Sequence, residues 1–161
     1  MNIALVGHRG TGKTTVCRLL ARKLDKKLVS ADEEIARQAG LSMEKFVKKR
    51  GWEKFYEVES DVMERISDLD ECVFDTCCSI IMRNENIMNL KKNSLVVALT
   101  CDPETIAGRT GKSGLFDEIR NMLRERGQKY VQDADYIIDT SKLSPEEVCN
   151  LIGYYLQAEL Q

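Results

Sequence analysis

The amino-acid sequence predicts an α/β fold of three layers, in which a mostly parallel five-stranded sheet carries helices on both faces. Short apolar segments alternate with amphipathic segments along the chain, which is typical of parallel β-sheets. No repeat, low-complexity tract or linker interrupts this alternation. A length of 161 residues, of which 43% are hydrophobic, suits one compact core. We therefore expect a single domain over residues 1–161.

Three strands are predicted in the first half of the chain, and they are Asn2–Val6, Lys27–Ser30 and Cys72–Asp75. The first two flank a helix over Lys13–Leu24, whose apolar side chains recur at helical spacing. Residues 32–68 predict two or three helices, with breaks near Gly40 and Gly51 and a cap at Ser42. The chain thus inserts a helical segment between its second and third strands.

The second half of the chain predicts two more strands, Leu95–Thr100 and Tyr136–Asp139. The first of these is continuously apolar and β-branched, as buried parallel strands are. Helices are expected over residues 86–92, after Asp102-Pro103, over about 116–132, and after a cap at Ser144. Residues 108–114, "GRTGKSG", predict a glycine-punctuated loop.

The first strand runs directly into "GHRGTGKTT", which fits the phosphate-loop pattern G-x-x-x-x-G-K-[ST] at every fixed position. Glycines let backbone N–H groups turn toward phosphate oxygens, and the following helix directs its positive end to the same place. The position between a strand and a helix disfavours a chance match. Lys13 can then reach the β- and γ-phosphates, and the Thr14 hydroxyl can bind Mg²⁺. The predicted cofactors are ATP and Mg²⁺, and the predicted ATP-binding residues here are Gly10, Thr11, Gly12, Lys13, Thr14 and Thr15.

His8 occupies a variable position of this pattern, so it is expected to be filler, although its side chain could touch the phosphates.

Charge and cysteine content narrow the class of protein. The 24 basic and 26 acidic residues nearly cancel, whereas proteins that grip nucleic acid are usually basic. The apolar run Ile3–Val6 is too short for a signal peptide, and no segment is long enough to span a bilayer. The six cysteines form no C-x-x-C pair, which favours reduced structural thiols. We expect a cytoplasmic monomer that binds a small-molecule acceptor and neither nucleic acid nor membrane.

Beyond the phosphate loop, the chain resembles the shikimate kinases nearly end to end. The resemblance is carried by "SADEEIARQAG", "MEKFVKKRGWEKFYEVE", "RERGQKYVQDADYIIDT" and "SPEEV". It implies transfer of the γ-phosphoryl group of ATP to a hydroxyl of a small acid, with shikimate as the leading candidate. It also implies that residues of about 32–68 form an acceptor-binding insert and that those of about 109–116 form a short lid.

Three residues match functional positions of that family. Asp32 falls at the second acid of a D-x-D segment, which implies that it holds the acceptor hydroxyl and acts with Lys13 in catalysis. Arg126 matches an arginine that pairs with the acceptor carboxylate, and Arg109 lies where the family flanks adenine. Simpler alternatives stay open: Asp32 could cap a helix beginning at Glu33, and Arg126 could be a solvated helix residue.

The departures from the family fall mostly on the acceptor side. Ser30 replaces the first acid of D-x-D, and Tyr56 replaces an arginine expected near the acceptor carboxylate. Cys77 and Cys78 stand in a turn where the family has glycines, which places Cys78 among the predicted substrate-binding residues. The short lid lacks an Arg-Pro-Leu segment. The acceptor site is therefore expected to differ from that of its relatives.

Asp75 offers a compensation for the acid that is missing at Ser30. It ends the apolar strand "CVFD", as Walker-B-type acids do, and we predict that it binds Mg²⁺ together with Thr14. A plain strand-end turn acid is the alternative. The basic residues in or after the lid could supply further charge or simply be solvated, and they are Lys112, Arg120, Arg124 and Arg126.

Two other functions stay open from the sequence. A nucleoside or nucleotide kinase of the same architecture would also use a strand-end acid such as Asp75 and arginines near the lid. An ATP-binding regulator could retain the phosphate loop and lose the acceptor.

Overall fold

The computed structural model describes residues 1–161, apart from the side chain of Ser113. Its strands form one sheet in the order β2-β3-β1-β4-β5, and every strand pairing is parallel. The strands are β1 Asn2–Gly7, β2 Lys27–Ser30, β3 Cys72–Asp75, β4 Ser94–Thr100 and β5 Tyr136–Asp139. The predicted fold class is confirmed, and each predicted strand is found within one residue of its expected bounds.

The helices in chain order are α1 Lys13–Lys23, α2 Ala31–Ala39, α3 Met43–Arg50, α4 Trp52–Ser67, α5 Asn84–Lys91, α6 Pro103–Thr110, α7 Phe116–Gln132 and α8 Pro145–Leu160. Short 3₁₀ helices span Cys78–Met82 and Ser113–Leu115. Ser42 and Ser144 accept hydrogen bonds from the backbone of their first turns, so both predicted caps are confirmed.

One predicted loop is partly wrong. The sequence predicts a loop over residues 108–114, but α6 continues through Thr110 and ends at Gly111, whose φ of 67° is left-handed. Gly108 therefore sits inside a helix, where tertiary packing of Ile106 and Ala107 outweighs its low propensity. The segment without a long helix is confined to residues 111–115.

Two apolar layers cover the sheet, and β1 separates them. All of its residues are buried, because a central parallel strand is covered on both faces. Ala4 and Val6 face the layer that includes α4 and α5, whereas Ile3 and Leu5 face the layer formed by α1 and α8. Burying each such aliphatic side chain contributes roughly 1.5–3 kcal/mol.

The carboxyl ends of the strands determine where the functional side chains meet. The register pairs Asp75 of β3 with Leu5 of β1 on one side and with Ser30 of β2 on the other. The phosphate loop begins where β1 ends, between β3 and β4. Parallel α/β sheets bind ligands at this edge. None of the described helices is both long enough and apolar enough to cross a membrane.

Candidate active site

The phosphate loop connects β1 to α1 through three glycines with positive φ, and they are Gly7, Gly10 and Gly12. Gly7 has a φ of 153°, and a Cβ there would collide with the Leu99 carbonyl oxygen of β4. Gly12 precedes α1 with a φ of 99°. The Thr11 hydroxyl closes the turn by donating to the His8 carbonyl at 2.9 Å. The fixed glycines of the motif, Gly7 and Gly12, thus suit the path of the backbone.

Lys13 is folded back over this loop. Its side chain is buried, and Nζ donates to the carbonyl oxygens of Gly7 at 2.8 Å and His8 at 3.1 Å. Burial lowers the pKa of Lys13, and the negative charge of the neighbouring Asp75 opposes that change only partly. A buried ammonium with neutral partners is a site that gains from an anionic ligand.

Thr14 and Asp75 form a pair across the site. The Thr14 hydroxyl donates to Asp75 Oδ2 at 2.7 Å, although the two residues are 61 positions apart. Burial raises the pKa of Asp75, while the Thr14 hydrogen bond and the charge of Lys13 oppose the rise. A hydroxyl and a carboxylate oxygen are ligands that Mg²⁺ accepts, so this donor set fits the ion.

The arrangement also matches how magnesium is usually held. Within the part of the chain that the structure describes, no group of three or more His, Cys, Asp or Glu side chains is placed to enclose a metal ion. Mg²⁺ commonly takes one or two protein oxygens, with phosphates and water completing its octahedral shell.

Arg109 anchors the phosphate loop to the segment after β5. Its Nη1 donates to the carbonyls of Gly10 at 3.3 Å and Thr11 at 3.4 Å, and its Nη2 donates to the Thr140 carbonyl at 2.7 Å. The Thr140 hydroxyl donates to the Thr11 carbonyl at 2.8 Å as well. The guanidinium edge is therefore used within the protein, and contact of Arg109 with adenine stays a prediction.

Asp32 lies in the first turn of α2 and is not its cap. The helix begins at Ala31, and the Ser30 hydroxyl accepts from the Glu33 amide at 3.3 Å. The alternative in which Asp32 caps a helix at Glu33 is therefore wrong, because Ser30 already fills that role. The carboxylate of Asp32 is exposed, and its Oδ1 accepts a hydrogen bond from the Cys77 thiol at 2.6 Å.

Glu59 is a buried carboxyl group behind this contact. It lies on α4, and its Oε2 accepts from the Ser79 hydroxyl at 2.7 Å. Oε1 has no hydrogen-bond partner among the described residues. Burial raises the pKa of Glu59 to about 7, against the lowering effect of the hydrogen bond from Ser79. In the sequence, Glu59 matches the glutamate of the family's F-R-x-x-E segment, and Phe55 matches its phenylalanine.

Arg126 and Cys78 both lie near Tyr56 and Tyr130. The Tyr130 hydroxyl donates to the Cys78 carbonyl at 2.6 Å, and Tyr56 stacks on Trp52 with ring centroids 5.8 Å apart. Burial raises the pKa of both tyrosines, and the positive charge of Arg126 opposes the rise at each. The structure therefore groups Arg126 with Tyr56, Tyr130 and Cys78.

His8 points from the loop toward α7. Its Nδ1 lies 2.7 Å from the Arg9 carbonyl, and its Nε2 lies 3.0 Å from Met122 Sδ. Burial lowers the pKa of His8, and the nearby charges of Lys13 and Arg126 lower it further. The His8 ring packs between the phosphate loop and α7, which is a structural role.

The other basic residues near the lid remain at the surface. Lys112, Arg120 and Arg124 are exposed, and the Arg120 guanidinium lies 5.9 Å from the centre of the Phe116 ring. Arg126 is half-buried by contrast. The structure thus separates Arg126 from the other three basic residues, which the sequence does not.

Comparison with known protein families agrees with this geometry. The family model described as shikimate kinase matches residues 9–157, which includes most of the phosphate loop, the helical insert and α7. The chain belongs to the shikimate kinase family. It is accordingly an ATP-dependent kinase of a small molecule, and ATP and Mg²⁺ are the cofactors of its family.

Curated members of the family match over nearly their whole length. A shikimate kinase of Caldicellulosiruptor bescii is 33% identical over 155 residues, which cover 90% of this chain and 89% of the relative. One from Dehalococcoides mccartyi is 35% identical over 159 residues, which cover 94% and 90%.

Solved structures of the family superpose closely. Shikimate kinase from Acinetobacter baumannii in complex with shikimate has a TM-score of 0.90 at 28% identity, over 98% of this chain and 93% of that one. Shikimate kinase from Aquifex aeolicus has a TM-score of 0.86 at 29% identity, over 99% and 98%. The sheet order and the long helical insert are thus those of the family.

Proposed function

We propose that this chain transfers the γ-phosphoryl group of ATP to a hydroxyl of shikimate. The observation that carries the proposal is the position of Asp32. Its exposed carboxylate and the buried ammonium of Lys13 lie close enough to interact electrostatically at the carboxyl edge of the sheet. The family relatives named above, one of them crystallised with shikimate, support this acceptor.

The phosphate loop supplies the ATP-binding groups in this proposal. Backbone amides of the loop and the amino-terminal end of α1 bind the phosphates, and Lys13 stabilises the charge on the transferred group. Arg109 borders the base through the face of its guanidinium group. The proposed ATP-binding residues are Gly10, Thr11, Gly12, Lys13, Thr14, Thr15 and Arg109.

Thr14 and Asp75 would hold Mg²⁺. The ion, when bound, neutralises charge on the β- and γ-phosphates. The Thr14–Asp75 hydrogen bond fixes both side chains in advance, which limits the ordering that nucleotide binding must pay for.

Asp32, Arg126 and Cys78 form the acceptor side of the proposal. Asp32 orients the acceptor hydroxyl and accepts its proton, because its carboxylate is exposed and only its Oδ1 is bonded to a described side chain. Arg126 grips the acceptor carboxylate with its guanidinium fork, and Tyr56 contributes a hydroxyl where relatives have a second cation. Cys78 lines the turn between them.

We also propose the organisation that surrounds this site. Residues 1–161 act as one domain, with an acceptor-binding insert over about 32–68 and a short lid over about 109–116. We propose a cytoplasmic monomer, and the balanced charge of the chain argues against binding of nucleic acid.

A turnover assay tests the proposal. The protein is incubated with Mg-ATP and a panel of shikimate, other hydroxy acids, nucleosides and nucleoside monophosphates, and both ADP and the phosphorylated acceptor are measured. We expect product with shikimate, and we expect Asp32→Asn to abolish it. Glu33→Gln is the matched control, since Glu33 is an exposed carboxylate in the same helical turn. Turnover with a nucleoside or a monophosphate only, or with no acceptor at all, contradicts the proposal.

A further inference from the structure

The contact between Cys77 and Asp32 joins a buried thiol to an exposed carboxylate. Cys77 is 5% exposed, and its Sγ donates to Asp32 Oδ1 at 2.6 Å. Among the side chains that the structure describes, this thiol is the sole hydrogen-bond partner of the Asp32 carboxylate. Oδ2 therefore remains available on the exposed side of α2.

The turn that carries this thiol is fixed on every side. The Thr76 hydroxyl donates to a carbonyl of β1 at 2.7 Å, and the Ser79 hydroxyl donates to Glu59 on α4 at 2.7 Å. The Tyr130 hydroxyl of α7 donates to the carbonyl of Cys78 at 2.6 Å. Three separate elements thus hold the backbone around the thiol, so its sulfur has a defined position.

The Cys77 thiol donates its hydrogen to one acceptor only. A thiol has a single hydrogen to donate. In the geometry of this site that hydrogen is directed to Asp32, while Glu59 receives the Ser79 hydroxyl.

We propose that Cys77 is a positioning residue for the reaction: its thiol holds Oδ1 of Asp32, so that Oδ2 alone is presented to the acceptor hydroxyl. The inference rests on the proposed function, in which Asp32 orients and deprotonates that hydroxyl. An exposed aspartate at the start of a helix otherwise samples several rotamers, and misplacement of a catalytic group by an ångström lowers the rate steeply.

A set of three variants tests this role by kinetics. Cys77→Ala removes the donor, Cys77→Ser keeps a donor, and Cys149→Ala removes a buried thiol on the opposite face of the sheet that bonds the Val16 carbonyl. We expect Cys77→Ala to lower kcat/KM for shikimate roughly ten-fold, while KM for ATP is unchanged. Cys77→Ser should retain most of the activity, and Cys149→Ala all of it.

Two kinetic outcomes would overturn the role. One is a Cys77→Ala enzyme within about two-fold of the wild type, which is smaller than the loss of one hydrogen bond. The other is a Cys77→Ser enzyme as impaired as Cys77→Ala, because packing of the sulfur would then matter and its donated hydrogen would not. Thermal unfolding of each variant verifies that the fold is intact.

The S–H stretching vibration gives a second readout that needs no acceptor. The band of Cys77 is obtained as the infrared difference between wild type and Cys77→Ser. A donated hydrogen bond lowers this frequency, so we expect Asp32→Ala to shift the band upward. A band that does not move overturns the contact.

The two readouts distinguish this inference from the proposed function. If the wild type does not phosphorylate shikimate but Asp32→Ala shifts the S–H band, the Cys77–Asp32 contact exists and shikimate is not the acceptor. The same three variants are then measured with the acceptor that the panel identifies. If the wild type phosphorylates shikimate and Cys77→Ala is unimpaired, the proposed function stands and the positioning role of Cys77 is wrong. If no acceptor in the panel is phosphorylated, the proposed function and the positioning role are both wrong.

Discussion

The phosphate side of this site keeps the motif expected of it, whereas the acceptor side departs from the family pattern. The phosphate loop keeps every fixed position of its motif, and its groups bond mainly to one another and to backbone carbonyls. The acceptor side carries Tyr56, Cys77 and Cys78 where the family pattern leads us to expect an arginine and glycines. A triphosphate bound by main-chain amides leaves little freedom, whereas an acceptor bound by side chains can be held by a new set of donors.

We propose that the metal-binding acid has moved from one strand to its neighbour. The family pattern leads us to expect this carboxylate at the end of β2, where this chain has Ser30. Asp75 stands beside it in register at the end of β3 and contacts Thr14. Ser30 in turn caps α2. Neighbouring parallel strands end at the same edge, so a carboxylate can be moved between them without leaving the site.

The largest expected effect falls on the phosphate side. Lys13→Ala removes the ammonium that faces the phosphates, and we expect turnover to fall by about 1,000-fold or more, since such charge stabilisation acts in the transition state. ADP release under saturating Mg-ATP measures the effect. Lys23→Ala is the control, because it lies on the same helix with an exposed ion pair to Glu146. Normal turnover in Lys13→Ala would contradict a role of Lys13 in stabilising the transferred phosphoryl group.

A carboxylate exchange tests whether the acid has moved between strands. We expect Asp75→Asn to weaken the Mg²⁺ dependence of nucleotide binding and turnover by about 100-fold, the cost of a lost charge-assisted contact. The double variant Ser30→Asp/Asp75→Ser returns the carboxylate to β2, where aspartate also serves as a helix cap. Titration with Mg²⁺ should show partial recovery in the double variant. If the Mg²⁺ dependence of Asp75→Asn equals that of the wild type, Asp75 does not bind the ion and is a turn residue at the end of its strand.

The pH dependence of stability probes the buried acid behind the acceptor turn. Glu59 has a pKa of about 7 in the folded protein against an ordinary value of 4.5. Between these values the folded state binds more protons than the unfolded state, so stability falls as pH rises, by about 2.5 kcal/mol between pH 5 and 8. Glu59→Gln should remove this decline in urea unfolding.

The control for that measurement is Glu57→Gln, an exposed glutamate on the same helix, which should keep the wild-type decline. An identical pH dependence in Glu59→Gln and wild type would mean that Glu59 is not the group responsible.

The smallest expected effect concerns Tyr56 on the acceptor side and the KM for shikimate. Tyr56→Arg restores the cation that relatives have, and we expect KM for shikimate to fall about ten-fold while KM for ATP stays the same. Tyr56→Phe, which keeps the stacked ring and loses the hydroxyl, should raise KM only slightly. Steady-state kinetics at saturating ATP separates the two. A higher KM in Tyr56→Arg would indicate that this site has been rebuilt for another acid.

Much of the fold and part of the site could be predicted from the sequence. Apolar runs, helical spacing and caps are local properties, so the strands and helices follow from them closely. The phosphate loop is also local, because glycine backbone angles, a lysine and a hydroxyl lie within nine consecutive residues. Asp75 could be predicted because a strand-end acid after an apolar run is a local pattern too.

Other features depend on contacts between distant residues. The Cys77–Asp32 hydrogen bond joins residues 45 positions apart, and Arg109 reaches the phosphate loop across about 98. The helical state of Gly108 and the burial of Glu59 likewise follow from packing. The sequence by itself determined the elements and the phosphate-binding motif, because these follow from short-range periodicity and backbone preference. The tertiary structure alone decided which side chains face one another across the acceptor side, because strand register and helix packing are set by the whole core.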